Sequence, residues 1–179
     1  DKSSINKNVK VDYHTNTDIT FSLKAINEYI ESNGITFDES QYKNWWSQIN
    51  EWRDKNCLHY EQSDETIKPQ HAISRLYQLT NQKDTFVTTE VGQHQMWAAQ
   101  YYKFSKPNRW ITSGGLGTMG FGMPAAIGAQ MANPNSLVID IAGEASFLMN
   151  VQEIATAVQY KLPIKIFILN NEYMGMVRQ

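Results

Sequence analysis

Two apolar runs near the carboxyl end, Leu137 to Ile141 and Ile164 to Leu169, constrain the fold more than any other feature of this chain. Each is a nearly continuous β-branched or aliphatic stretch, the pattern of a strand covered by helices on both faces rather than one with a wet side. The residues between them, Val151 to Tyr160, have the length and composition of a crossover helix. A strand, a helix and a second buried strand make a parallel unit, because parallel neighbours need a long connection. The same alternation begins earlier. Pro69 opens a helix whose Ile73, Leu76 and Leu79 share a face, and Phe86 to Thr89 reads as a β-branched strand. Helices near Gln93 to Tyr102 and Pro124 to Met131, and a strand near Trp110 to Thr112, complete the pattern. The expected fold is α/β, a doubly wound parallel sheet with helices on both faces, in which ligands sit at the carboxyl ends of strands.

Residues 1–60 read differently. Leu23, Ile26 and Ile30 form a helical stripe that stops at Asn33-Gly34, and a second helix follows from Asp38, with Gln41 as the reciprocal partner of that cap. Tyr42, Trp45, Ile49 and Trp52 share one face of it. At helical spacing an aromatic stripe is assigned to packing rather than to ligand stacking. The expected organisation is a helical piece of one domain at 1–60, a linker at Glu61 to Lys68, and an α/β domain at 69–179. Of the 34 charged residues, 26 lie in positions 1–108 and 8 in 109–179, so the later part is expected to be the more buried. The chain lacks an initial methionine and stops directly after an apolar strand, which raises the expectation of a fragment.

Composition excludes several classes. A formal charge of -2 gives no electrostatic case for nucleic acid or an anionic membrane surface. No apolar run reaches the length that spans a bilayer, so a soluble protein is expected. The single cysteine, Cys57, excludes an internal disulfide framework and a cysteine metal cluster. No lysine-bearing phosphate loop and no serine nucleophile turn is present. His14, His59 and His71 have no metal-ligand spacing and receive no role.

Three strand ends carry the residues that suggest chemistry: Glu90-Val91-Gly92-Gln93-His94, Ser113 to Gly120, and Gly143-Glu144-Ala145-Ser146. Glycines let backbone amides approach a ligand, and a helix starting just beyond adds a positive dipole end, a combination that suits a phosphate or diphosphate. For 113–122 a tight turn with close helix packing explains the glycines equally well. Glu144 after one strand and Asn171 after the next supply two hard oxygens from neighbouring strand ends, as a divalent cation requires. His94 could donate to a phosphate or cap its own helix.

The runs Val91 to Gln100, Gly114 to Gly120, Pro124 to Ala129 and the Gly143 to Asn171 clamp closely resemble the acetolactate synthase (acetohydroxyacid synthase) large-subunit family of thiamine diphosphate enzymes. The resemblance runs from Ser3 to the last residue and is loose over 14–60. It implies that Glu144, Asn171 and the Tyr173 carbonyl hold Mg²⁺, and that Gln93, His94, Ala145 and Ser146, with Gly92 and Gly143 beside them, hold the diphosphate. It places Met119 as the catalytic apolar wedge that bends the cofactor, with Gly117 and Val91 lining the pyrimidine. The implied activity is decarboxylation of pyruvate and transfer of the two-carbon unit to a second pyruvate or to 2-oxobutyrate, in branched-chain amino-acid synthesis. It further implies FAD in the full-length enzyme, a homodimer or tetramer with a possible regulatory subunit, and a bacterial cytoplasm or plastid stroma.

The family's activating glutamate would lie in an amino-terminal domain outside these residues, so this piece alone is expected not to turn over. Three positions depart from the family pattern: Glu144 and Ala142 stand where aspartate is usual, and Lys2 where proline is usual. The alternatives are another carboligase or decarboxylase of the same cofactor class, such as glyoxylate carboligase, and a catalytically silent homologue. The ending Tyr173 to Gln179 favours the first resemblance.

Overall fold

A computed structural model describes residues 2–178. The chain divides into two compact units, Asp1–Cys57 and Leu58–Gln179. The first holds α1 (Ile19–Ser32) and α2 (Lys43–Asp54). Asp18 caps α1 by accepting from the Thr20 amide at 2.9 Å, and Gly34 stops it at φ 59°. Asp38 likewise accepts from Ser40 at 2.9 Å, but it opens a 3-10 turn, Glu39–Tyr42, so α2 starts one turn later than the sequence pattern suggests.

The apolar stripes of these helices depart from expectation. Leu23 and Ile26 are exposed, and Tyr42, Trp45 and Trp52 keep 47%, 57% and 47% of their surface. Trp45 and Trp52 make one edge-to-face pair at 5.4 Å, and Ile49 of the same stripe is half-buried. A unit of this size buries too little surface to cover two amphipathic helices.

The second unit contains, in order, α3 (Pro69–Thr80), β1 (Thr85–Thr89), α4 (Gln93–Tyr101), β2 (Trp110–Thr112), α5 (Gly122–Ala132), β3 (Leu137–Ala142), α6 (Glu144–Leu148), α7 (Ile154–Gln159), β4 (Lys165–Ile168) and α8 (Gly175–Arg178). All four strands are parallel in the order β2-β1-β3-β4, with Thr88 opposite Asp140 and Asp140 opposite Ile166. Alternation along β1 and β3 sends Val87, Ile139 and Ile141 to one face, where Ile73 of α3 and Ala98 of α4 meet them. Phe86 and Val138 point to the other face, against Ala126 and Ala129 of α5. This is the doubly wound arrangement, α3 and α4 on one side, α5 and α7 on the other. Each fully buried aliphatic side chain in it contributes roughly 1.5–3 kcal/mol.

β3 is buried over nearly its whole length, as its continuous apolar run implies, whereas β4 is not. At the sheet edge Lys165 and Ile168 face solvent, and the strand is shorter than the apolar run Ile164 to Leu169. Edge position, which local composition cannot reveal, accounts for the difference. The segment preceding α3 belongs to the second unit: Tyr101 donates from its hydroxyl to the Leu58 carbonyl at 2.9 Å, and Gln62 accepts from the Lys68 amide at 3.0 Å. Among the described residues no helix is long and apolar enough to cross a membrane.

Candidate functional site

The carboxyl ends of β1 and β3 lie side by side at the centre of the sheet, and β4 lies next to β3. The loops leaving these three strands therefore converge. Between them opens a cleft lined by Val91, Gly92, Gln93, His94 and Trp97 after β1, by Met119, by Gly143, Glu144, Ala145 and Ser146 after β3, and by Leu169, Asn171 and residues 173–177 after β4. Every site residue expected from the sequence lines this one cleft except Gly117, which sits in the exposed glycine turn with Val91 Cγ1 beside it. Gln179 lies outside the described residues.

His94 is deeply enclosed, with 6% of its surface exposed. It occupies the first turn of α4, and its ring is wedged between two glycines. A Cβ at Gly92 would fall 2.7 Å from the His94 Cε1, and one at Gly143 would fall 2.7 Å from Nδ1. Burial lowers the imidazole pKa to about 4, against the opposing influence of the Glu90 backbone carbonyl and the Glu144 carboxylate, so His94 is neutral near pH 7. Its Nε2 is buried and has no partner in the protein. A neutral ring nitrogen left unsatisfied in a cleft is a group made to meet a ligand atom.

The remaining polar groups are anchored through the backbone. Ser146 donates to the Val91 carbonyl at 2.9 Å, fastening α6 to the β1–α4 junction. Asn171 accepts from the Tyr173 amide at 3.2 Å, an Asx turn that bends the chain after β4 back over the cleft. Gln93 lies against Gly175, where a side chain would have to displace the Gln93 amide. Glu144 stands at the first position of α6, half-exposed. Among the described residues no group of three or more His, Cys, Asp or Glu side chains could hold a metal ion. The cleft instead offers one carboxylate, the Gln93 and Asn171 amides and backbone carbonyls, the hard oxygen mixture that suits a cation also held by a ligand's phosphates.

Three features were not assigned from the sequence. Trp97 follows Gln93 by one helical turn and supplies an apolar wall to the cleft, a position that helical spacing alone identifies. Glu90 and Asp140, fully buried beneath the glycine turn, have a plainer signal: an aspartate within the apolar strand Leu137–Ala142.

A cleft at the carboxyl ends of a doubly wound parallel sheet, with an unsatisfied histidine, two ring-clearing glycines and hard oxygens on adjacent loops, defines a diphosphate-cofactor domain. Residues 90–179 match the family described as thiamine pyrophosphate enzyme, C-terminal TPP binding domain, and the chain belongs to that family. Over all of its residues it is 47% identical to the acetolactate synthase isozyme 3 large subunit of Escherichia coli K12, of which it covers 31%. Over 88% of its residues it is 50% identical to the acetolactate synthase large subunit of Buchnera aphidicola subsp. Schlechtendalia chinensis, covering 27% of that protein. It is 46% identical over its whole length to acetolactate synthase 2, chloroplastic, of Brassica napus, covering 28% of it. The chain thus spans about a third or less of the curated relatives it matches.

Proposed function

We propose that the complete protein is an acetolactate synthase catalytic subunit, which decarboxylates pyruvate and joins the two-carbon unit to a second 2-oxo acid, pyruvate or 2-oxobutyrate, in branched-chain amino-acid synthesis. The observation that carries this reading is the single cleft, which gathers residues from three strand ends around the unsatisfied His94. Names shared by relatives from bacteria and plants support the same reaction and do not favour the glyoxylate carboligase alternative.

In this reading Gln93, His94, Ala145 and Ser146 hold the diphosphate oxygens. His94 Nε2 is free to meet one of them, and Gly92 and Gly143 leave room for the ring to stay where it is. Glu144, the Asn171 amide oxygen and the Tyr173 carbonyl hold Mg²⁺, whose charge offsets that of the diphosphate. Met119 and Val91 line the cleft as apolar walls, and Met119 would be the wedge beneath the cofactor. Bound there, thiamine diphosphate supplies the electron sink for decarboxylation. FAD, a homodimer or tetramer, a regulatory subunit and a bacterial or plastid location belong to the same proposal and rest on the family resemblance.

The test is calorimetric titration of thiamine diphosphate into the complete protein, with and without Mg²⁺, followed by product analysis with pyruvate. Mg²⁺-dependent binding and acetolactate are expected. Acetaldehyde alone would assign a simple decarboxylase, and no binding in Mg²⁺ would make the protein a silent homologue.

A further inference from the structure

Beneath the cleft, on the α5 face of the sheet, two carboxyl groups are sealed from solvent. Glu90 follows β1 and Asp140 lies in β3, and each has 0% of its surface exposed. Glu90 Oε1 accepts from the Met123 amide at 3.0 Å, and Asp140 Oδ1 accepts from the Thr88 hydroxyl at 3.0 Å. The second oxygen of each, Glu90 Oε2 and Asp140 Oδ2, is buried without a partner. Both residues converge on Gly122. A Cβ there would collide with Asp140 Oδ1 and come within 2.7 Å of the Glu90 amide nitrogen.

Among the described residues no cation forms a salt bridge with either acid. Helix α5 and strand β2 carry no ionisable side chain. The 3-10 turn Val151–Glu153, which also packs on α5, brings only Glu153, itself an acceptor from Thr156 at 3.1 Å. His94, from α4, is kept neutral near pH 7 by its burial. Two uncompensated carboxylates buried together would be prohibitively costly, whereas one bound proton removes a charge.

We propose that the Glu90 and Asp140 pair binds one proton, carried by Asp140, and that the two residues seat the turn Gly120 to Met123, so that Met119 is presented to the cleft. Burial pushes the Glu90 pKa up, against the opposing influence of the backbone amides of residues 120–123 at the positive end of α5. Asp140 carries the proton, and its burial beside Glu90 raises its pKa to about 7. The Gly120 carbonyl also accepts from the Asn150 side-chain amide at 2.6 Å, a second anchor for the turn. The pair therefore acts as a positioning device for Met119. Only the last link, from Met119 to catalysis, rests on the proposed function.

Infrared difference spectroscopy on the complete protein tests the bound proton, because a buried carboxylic acid absorbs apart from carboxylates. One protonated-acid band is expected in the unaltered protein below pH about 7, and it should vanish in both Asp140→Asn and Glu90→Gln. Each amide leaves the other residue ionised. A band that survives either substitution, or no such band at all, overturns the bound proton.

Hydrogen exchange at the Met123 amide tests the seating. Glu90→Gln retains an acceptor and should preserve protection, whereas Glu90→Leu should speed exchange by roughly tenfold or more. Equal protection in Leu and Gln variants would overturn it. These readouts need no cofactor, so their failure is distinct from a failure of thiamine diphosphate to bind.

Discussion

At the level of single residues, His94 shows how far one side chain dictates its neighbours. Gly143 has an ordinary extended backbone, φ -96° and ψ 152°, which alanine adopts freely, so only the imidazole forbids a Cβ there. Gly143→Ala should cost about 1–3 kcal/mol of unfolding stability through overpacking. His94→Ala should recover much of that loss, giving a coupling of roughly 0.5–3 kcal/mol in a double-mutant cycle by denaturant titration. His94 also fixes a pH response. Its folded pKa of about 4 lies below the ordinary 6.5, so the unfolded chain binds the proton more readily and stability falls as pH drops from 6.5 toward 4. His94→Gln should flatten that limb in urea midpoints measured across the same range. Glu144 carries one methylene more than the family's usual aspartate, and Mg²⁺ tolerates little displacement of its ligands. Glu144→Asp in the complete protein should tighten Mg²⁺-dependent thiamine diphosphate binding, by about tenfold or ~1.4 kcal/mol in calorimetry. The sequence made His94, Glu144 and Asn171 legible because they sit at strand ends. The contact between His94 and two glycines from different loops was not legible, since no local pattern records which ring fills which gap.

At the level of elements, Asp84 joins the amino ends of three strands. It precedes β1, and its carboxylate accepts from Lys106 Nζ at 3.1 Å and Arg109 Nη2 at 3.0 Å ahead of β2, and from the Ser136 hydroxyl at 2.8 Å ahead of β3. These donors, Ser136 first, hold its pKa at about 2 against an ordinary 3.8. The folded state thus binds this proton less readily than the unfolded chain. The stabilisation it confers is present above pH 3.8 and lost as pH falls toward 2. Asp84→Asn should weaken the acid limb of a pH–stability profile and leave stability near pH 7 only slightly lower, as suits an exposed cluster. The strands and helices themselves were readable from periodicity, and β2, β1 and α4 fall where the pattern puts them. β4 misled because a continuous apolar run looks the same at an edge as in the middle of a sheet. The short α8 carried no periodic signal at all.

At the level of the molecule, the two units differ in kind. Among the described residues, every buried apolar side chain belongs to the second, and within the first only Ser22, at 9% exposure, is buried. A polypeptide of residues 1–57 should therefore show helical far-ultraviolet circular dichroism that fades gradually on heating, without a cooperative transition in the tryptophan signal. A sharp transition there would contradict the exposure of its aromatic face. The doubly wound class was legible because alternation and buried strands state it directly, while the exposed helices were not, since amphipathicity says a face wants cover without saying where the cover comes from. The strand order has one more consequence. β1 finds its main neighbour in β3, with Thr88 reaching Asp140 across 52 residues of chain. During ribosomal synthesis the first-made strand must wait, apolar and unpaired on its far side, until the later one emerges. Assembly of this sheet is thus expected to be slow and to depend on chaperones that shield Phe86 and Val87 in the interval.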